Sequence, residues 1–196
     1  MTPIDQMTPD ELRKALHIER ARAEIAERRA DERLAEAHTD GLTRLLNAQG
    51  FTRRAEALDQ GLDQGWYVRV DLDGFKSAQD KPGRGHAWGD RILVEFSDWL
   101  MGTTRERDFR AGCLLLGRTG GDEFTIRTEL RNAALGIRDR VREWASTLGH
   151  GEITASAGIG HDQQSSDVAM YIDKRRKKEQ GQKVPGSKES QKKSAA

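Results

Sequence analysis

The chain holds a single cysteine, Cys113, among its 196 residues. That excludes an internal disulfide and any cysteine-rich zinc site. No apolar run reaches the about 18 residues that a membrane-spanning helix needs, so no membrane span is expected. The first ten residues lack a signal-peptide core, and a cytoplasmic protein is the expectation. Neither sign of charge prevails: 33 basic side chains face 32 acidic ones, for a net charge of +1. This balance argues against a dedicated nucleic-acid binder on electrostatic grounds. What the chain does have is charge in quantity, 33% of residues against 35% hydrophobic. Part of it must therefore be solvated helix or tail. The length suits one domain of about 140 residues with appendages, enough to bury a core.

Thr8-Pro9-Asp10-Glu11 has the form of a capping box, with Thr8 as the cap, Pro9 at the first helical position and Glu11 reaching back. A helix is predicted from there to about residue 37. Its apolar residues Leu12, Leu16, Ala23, Ala26, Ala30, Leu34 and Ala37 recur mainly at threes and fours. The thin stripe fits either a solvated helix held by charge pairs or a dimerising coiled coil. Beyond it, Leu42, Leu45, Leu46, Phe51, Ala55 and Leu58 fit an amphipathic helix. Trp66 to Asp73 alternates as a strand with an acidic end. Trp88 to Met101 is predicted helical, Leu114–Leu116 and Phe124–Ile126 a hairpin, Leu130 to Leu148 helical, Ile153 to Ile159 a strand, and Ser166 to Lys178 a last helix. The order gives an α+β fold: a ferredoxin-like βαββαβ core, mostly antiparallel, with helices packed on the sheet and a long helix in front. Three regions follow: 1–37 as the N-terminal helix, 38–180 as the domain, and 181–196 as a basic tail expected to be disordered.

Chemistry concentrates at two acidic clusters. Thr119-Gly120-Gly121-Asp122-Glu123-Phe124 reads as a tight turn with positive-φ glycines and a carboxylate at the hairpin tip. It is also a common hairpin signature. Asp71-Leu72-Asp73 ends the first strand. If the strand and hairpin are sheet neighbours, one carboxylate from each could hold Mg²⁺ beside phosphate; otherwise Asp71 is a solvated strand end. His86 reads as a capping or packing residue, since no second His stands at ligand spacing. Asp90 could accept two hydrogen bonds from a guanine edge, or simply favour the first turn of a helix. Lys174 and Lys178, four apart in a basic run, could meet a triphosphate or complement a helix C-terminus.

Together these blocks resemble the GGDEF domain of diguanylate cyclases. The resemblance rests on Asp40-Gly41-Leu42-Thr43 with Leu45 and Asn47, Asp71-Leu72-Asp73-Gly74-Phe75-Lys76, Gly85-His86 with Gly89-Asp90, Arg118 with Gly120 to Phe124, Ser156 to Gly160, and Ser166 to Tyr171 with Lys174. It implies a palm that joins two GTP molecules into cyclic di-GMP as a homodimer, with Mg²⁺ (or Mn²⁺). It implies Asp122, Asp71 and Glu123 as catalytic acids, and Asp71, Asp122 and the Leu72 carbonyl as metal ligands. Gly74, Phe75 and Lys76 would border the phosphates, Gln79 and Asp90 would meet guanine, and Lys174 and Lys178 the outer phosphates. The N-terminal helix would pair two chains. Several positions depart from the family pattern. Gln79 replaces an Asn, Lys178 an Arg, and Ala48-Gln49 an Arg pair. The loop Lys81 to Arg84 is longer, and an insertion falls between Asp108 and Arg118. The segment from Gly160 to Ser166 is shortened, so a different docking of the last helix is expected. Arg105-Glu106-Arg107-Asp108 has the form of the inhibitory product site but lies too far ahead of Gly120. Ala111 and Leu114 hold its usual register, so no such site is expected. The alternative reading is a catalytically inactive nucleotide-binding regulator; a scaffold that merely dimerises explains none of the acids.

Overall fold

Thr8 opens the first helix by the reciprocal bonds its sequence suggests: its hydroxyl accepts from Glu11 N–H, and the Glu11 carboxylate accepts from Thr8 N–H at 2.8 Å. The computed structural model describes residues 8–60, 65–104, 114–147 and 152–180, without the side chains of 145–147. The chain divides into two units, residues 1–38 and 39–196. The first is α1 (Pro9–Ala37). No residue of α1 is buried, and Leu12, Leu16, Ile18, Ile25 and Leu34 stand 39–55% exposed. Charge pairs such as Arg22–Glu19 and Arg28–Glu32 line its faces.

The second unit contains α2 (Ala48–Asp59), β1 (Trp66–Asp73), α3 (Phe75–Gln79), α4 (His86–Thr103), β2 (Leu114–Arg118), β3 (Glu123–Thr128), α5 (Arg131–Thr147), β4 (Thr154–Gly160) and α6 (Gln163–Glu179). The four strands form one antiparallel sheet in the order β2-β3-β1-β4, the split arrangement expected of the βαββαβ order. Alternation along β1 sorts the two faces. Val68, Val70 and Leu72 enter the main core with Ile92, Phe96, Leu100, Val141 and Trp144 from α4 and α5. Tyr67 turns the other way and packs with Phe51 and Ala55 of α2. Arg69, Asp71 and Asp73 share that second face by the same period of two.

One predicted element needs correction. The apolar run from Leu42 does not form a helix until Ala48. Asp40 Oδ1 accepts from both the N–H and the hydroxyl of Thr43, at 2.8 and 2.7 Å, and Arg44 takes a left-handed φ of 63°. Local side-chain bonds of this kind offer the backbone an alternative to the helix. Leu46 instead lies alongside β2: its N–H donates to Leu116 O at 3.1 Å and its carbonyl accepts from Arg118 N–H at 2.8 Å. Asn47 then caps α2 through Gly50 N–H at 2.9 Å.

The shortened segment before the last helix has a direct solution. Asp162 caps α6 with a capping box formed with Ser165, only two residues past β4. Close docking follows from two glycines. A Cβ on Gly158 would lie 2.0 Å from Met170 N, and one on Gly160 would lie 2.3 Å from Ser166 N. Only bare backbone lets α6 settle on the strand.

Candidate active site at the end of strand β1

The hairpin between β2 and β3 places the acidic turn beside the end of β1. Asp71 pairs with Glu123 across the ladder, and Leu72 N–H donates to the Asp122 carbonyl at 3.1 Å. The turn is not built as its glycines suggest. Neither Gly120 nor Gly121 adopts the left-handed φ that Gly74, Gly83 and Gly85 take. A Cβ on Gly120 would sit 2.5 Å from Glu123 Oε2, the far end of a flexible side chain. Arg118 fixes the tip from outside, donating to Gly121 O at 2.7 Å and reaching Asp40 at 3.3 Å.

Asp71 and Asp122, the two proposed metal carboxylates, influence each other electrostatically. Burial raises the Asp122 pKa, and the negative charge of Asp71 raises it further, with Lys174 opposing. The charge of Asp71 thus disfavours ionisation of Asp122, which is the field a divalent cation relieves. The ammonium of Lys174, from α6, supplies part of that relief. It lies 2.5 Å from Asp71 Oδ1 and 3.4 Å from Asp73 Oδ1. Burial alone would lower the Lys174 pKa; the hydrogen bond and charge of Asp71, with the charge of Asp73, raise it instead.

Asp73 is fully buried. Burial pushes its pKa up, while the Ser156 hydroxyl, Lys174 and Lys177 pull against that. Ser156 Oγ donates to Asp73 Oδ2 at 2.6 Å, and Lys177 Nζ stands 3.9 Å from the same oxygen. Lys177 is held there by Asp173 at 3.4 Å and by the Ala155 carbonyl. Glu123, the second acid of the turn, is occupied by Arg69 Nη2 at 2.7 Å.

The remaining predicted residues lie at the turn into α3 and on α3, α4 and α6. Gly74, at φ 81°, turns the chain from β1 into α3. Phe75 is buried and Lys76 exposed. Gln79 Nε2 donates to His86 Nδ1 at 2.9 Å. Asp90 is exposed in the second turn of α4, and Lys178 is exposed one turn beyond Lys174. The Lys81 to Arg84 loop is tied to Glu152 by ion pairs of 2.6 and 2.5 Å. Arg105 to Asp108, Ala111 and the tail beyond Gln180 lie outside the described residues.

The chemistry of this donor set fits a hard divalent cation. Mg²⁺ takes one or two carboxylates and fills its remaining positions with water and substrate phosphate. Asp71 and Asp122 provide that number, and a cationic group already stands on one of them. Among the described residues no three His, Cys, Asp or Glu side chains gather into a self-sufficient metal cage. Asp73 stands in an acidic cluster that the sequence singles out but without a role there, and the parts played by Arg69, Ser156 and Lys177 were not anticipated. The signal for Arg69 and Asp73 was the alternation itself, which puts residues 69, 71 and 73 on one face.

The model of the family described as diguanylate cyclase, GGDEF domain, matches residues 37–181. The chain belongs to that family. It is 35% identical over 95 residues to diguanylate cyclase TpbB of Pseudomonas aeruginosa strain PAO1, which covers 46% of this chain and 20% of that protein. The chain thus spans about a fifth of the first curated relatives it matches. Among solved structures, the TpbB GGDEF domain superposes with a TM-score of 0.54 at 30% identity, over 71% of this chain and 90% of that one. Diguanylate cyclase SiaD of Pseudomonas aeruginosa, solved with its activator SiaC, gives a TM-score of 0.56 at 27% identity, over 85% and 70%. Among the described residues no helix is long and apolar enough to cross a membrane.

Proposed function

We propose that the chain is an active diguanylate cyclase, condensing two GTP molecules into cyclic di-GMP with release of pyrophosphate. The observation that supports this reading is the meeting of two acids far apart in the chain: the Leu72 N–H donates to the Asp122 carbonyl, and the charge of Asp71 adds to burial in raising the Asp122 pKa. Held between those carboxylates, a divalent cation would assist deprotonation of the ribose 3′-hydroxyl and neutralise charge on the phosphates. Asp71 and Asp122 hold that cation, with the Leu72 carbonyl as a further ligand. Gly74, Phe75 and Lys76 border the phosphates, and Gln79 and Asp90 read the guanine. Lys174 and Lys178 meet the outer phosphates. Each copy carries one GTP, and α1 pairs two copies, which raises the effective concentration of the half-sites. The exposed leucines of α1 support that pairing.

A second reading, a nucleotide-binding regulator without turnover, draws on the engagement of Glu123 by Arg69 and of Gln79 by His86. Purified protein incubated with GTP and Mg²⁺ separates the two. Cyclic di-GMP detected by mass spectrometry, and lost in Asp122→Ala, supports the cyclase. GTP binding without product supports the regulator. An Asp122→Ala protein as active as wild type overturns the site.

A further inference from the structure

We propose that Lys174 is an internal counter-cation of this site, displaced when metal and nucleotide arrive together, so that metal binding is conditional on the triphosphate. The inference rests on the cyclase reading given above. Among the described residues, the cation seated on Asp71 is the Lys174 ammonium, 2.5 Å from Oδ1. A magnesium ion needs carboxylate oxygens at about 2.0–2.1 Å. Two positive groups cannot share one partly buried carboxylate without strong repulsion. A metal entering at Asp71 must therefore move Lys174.

The surroundings allow that move. The Lys174 side chain is 39% exposed, and its flexible stem carries a compact charge that can be redirected. Its departure takes the ammonium at 3.4 Å from Asp73 Oδ1, while Asp73 Oδ2 stays partnered. That carboxylate keeps the Ser156 hydroxyl at 2.6 Å and Lys177 at 3.9 Å. Lys177 is itself anchored, by Asp173 and the Ala155 carbonyl. The two lysines thus divide the work: Lys177 stays with Asp73, and Lys174 is exchangeable. A triphosphate supplies the anion that receives the displaced ammonium. Nucleotide then raises metal affinity and metal raises nucleotide affinity by the same factor. The site is kept from filling with metal alone.

The test is Mn²⁺ binding to the 196-residue chain without nucleotide, followed by electron paramagnetic resonance. Lys174→Gln removes the competing charge and should bind Mn²⁺ about tenfold more tightly than wild type. Lys174→Arg keeps the charge and should bind like wild type. Asp71→Asn in the Lys174→Gln background should abolish the gain. The Mn²⁺-induced rise in melting temperature should follow the same order. Lys174→Gln binding no tighter than wild type, or Lys174→Arg binding as tightly as Lys174→Gln, overturns the proposal. Wild-type protein gives a check that needs no variant. Mn²⁺ with a non-hydrolysable GTP analogue should raise its melting temperature by more than the two separate shifts added, and a merely additive rise refutes the coupling. If no Asp71-dependent Mn²⁺ binding occurs under any condition, with or without the analogue, the cyclase reading fails as well.

Discussion

Arg69 on β1 closes on Glu123 of β3 at 2.7 Å, and its other amino group donates to Thr119 and Thr125 at 3.1 and 3.0 Å. The second acid of the turn is thereby a cross-strand tie as well as a candidate catalytic group. The Arg69 side chain is 17% exposed and that of Glu123 35%, so solvent screens the pair only in part. Arg69→Leu should cost about 1–2 kcal/mol, the range between exposed and buried pairs. Glu123→Gln should cost less. A urea-denaturation double-mutant cycle should return a coupling of about 1 kcal/mol. Strictly additive losses would show that the pair contributes nothing to the turn.

Asp122 carries a stability penalty that its proposed role would explain. Its folded pKa is raised, by burial first and by Asp71 second. The folded state therefore holds this proton more tightly than the unfolded one, and the group's contribution to stability falls as pH rises through the interval between the two pKa values. Asp122→Asn fixes the neutral form. It should melt higher than wild type at pH 7, and the gap should close as pH falls below the folded pKa. Added Mg²⁺ with GTP analogue should narrow the gap from the other side, by stabilising only wild type. A variant that melts lower than wild type at pH 7 would remove the electrostatic argument.

Arg127 is fully buried on the same sheet face, and its guanidinium meets Asp59 Oδ1 at 2.9 Å through Nε and 2.7 Å through Nη2. Tyr67 donates its hydroxyl to the other Asp59 oxygen, and desolvation together with that carboxylate pushes the phenol pKa well up. The Asp59 pKa is lowered: burial opposes the shift, and the bonds from Tyr67 and Arg127 outweigh it. Its stabilisation is present above the unfolded carboxyl pKa and is lost as pH falls through the folded one. Asp59→Ala leaves a buried guanidinium without a counter-charge and should cost about 3–5 kcal/mol. Chemical denaturation at pH 7 measures this. A loss below about 1 kcal/mol would mean that water or a neighbour takes over the pairing.

The sheet was legible because its signals are local. Val68, Val70 and Leu72 alternate, and Leu114 to Leu116 lead into a hairpin turn with matching residues beyond it. The convergence of Asp71 and Asp122 followed only from assuming that strand and hairpin are neighbours, since nothing in either segment states the distance between them. The helix misplaced over residues 42–47 shows why apolar spacing misleads. Leu45 and Leu46 are hidden by a turn held through Asp40 and by a pairing with β2, and a helical pattern cannot distinguish that from a helix. Lys177 escaped because a basic run at a helix end has a sufficient local explanation in the dipole. Its partner Asp73 is 104 residues earlier in the chain.

The last helix brings both lysines to the site, and its position depends on Gly158. A methyl group there would fall 2.0 Å from Met170 N and 2.4 Å from Ser166 O. Both are backbone atoms of α6, so no side-chain adjustment relieves the clash. Gly158→Ala must therefore lift α6 from β4, with Lys174 leaving Asp71 and Lys177 leaving Asp73. Overpacking of this kind costs about 1–3 kcal/mol or more, and here it should also increase hydrogen exchange along α6. Gly136→Ala is the matched control. It lies inside α5, where an added Cβ meets only the end of the Arg140 side chain at 3.4 Å, and alanine in a helix interior should gain about 0.5–1 kcal/mol. The two substitutions add the same methyl group with opposite expected signs. A Gly158→Ala protein as stable as wild type, with α6 still protected from exchange, would show that the helix does not need this close contact to hold its lysines in place.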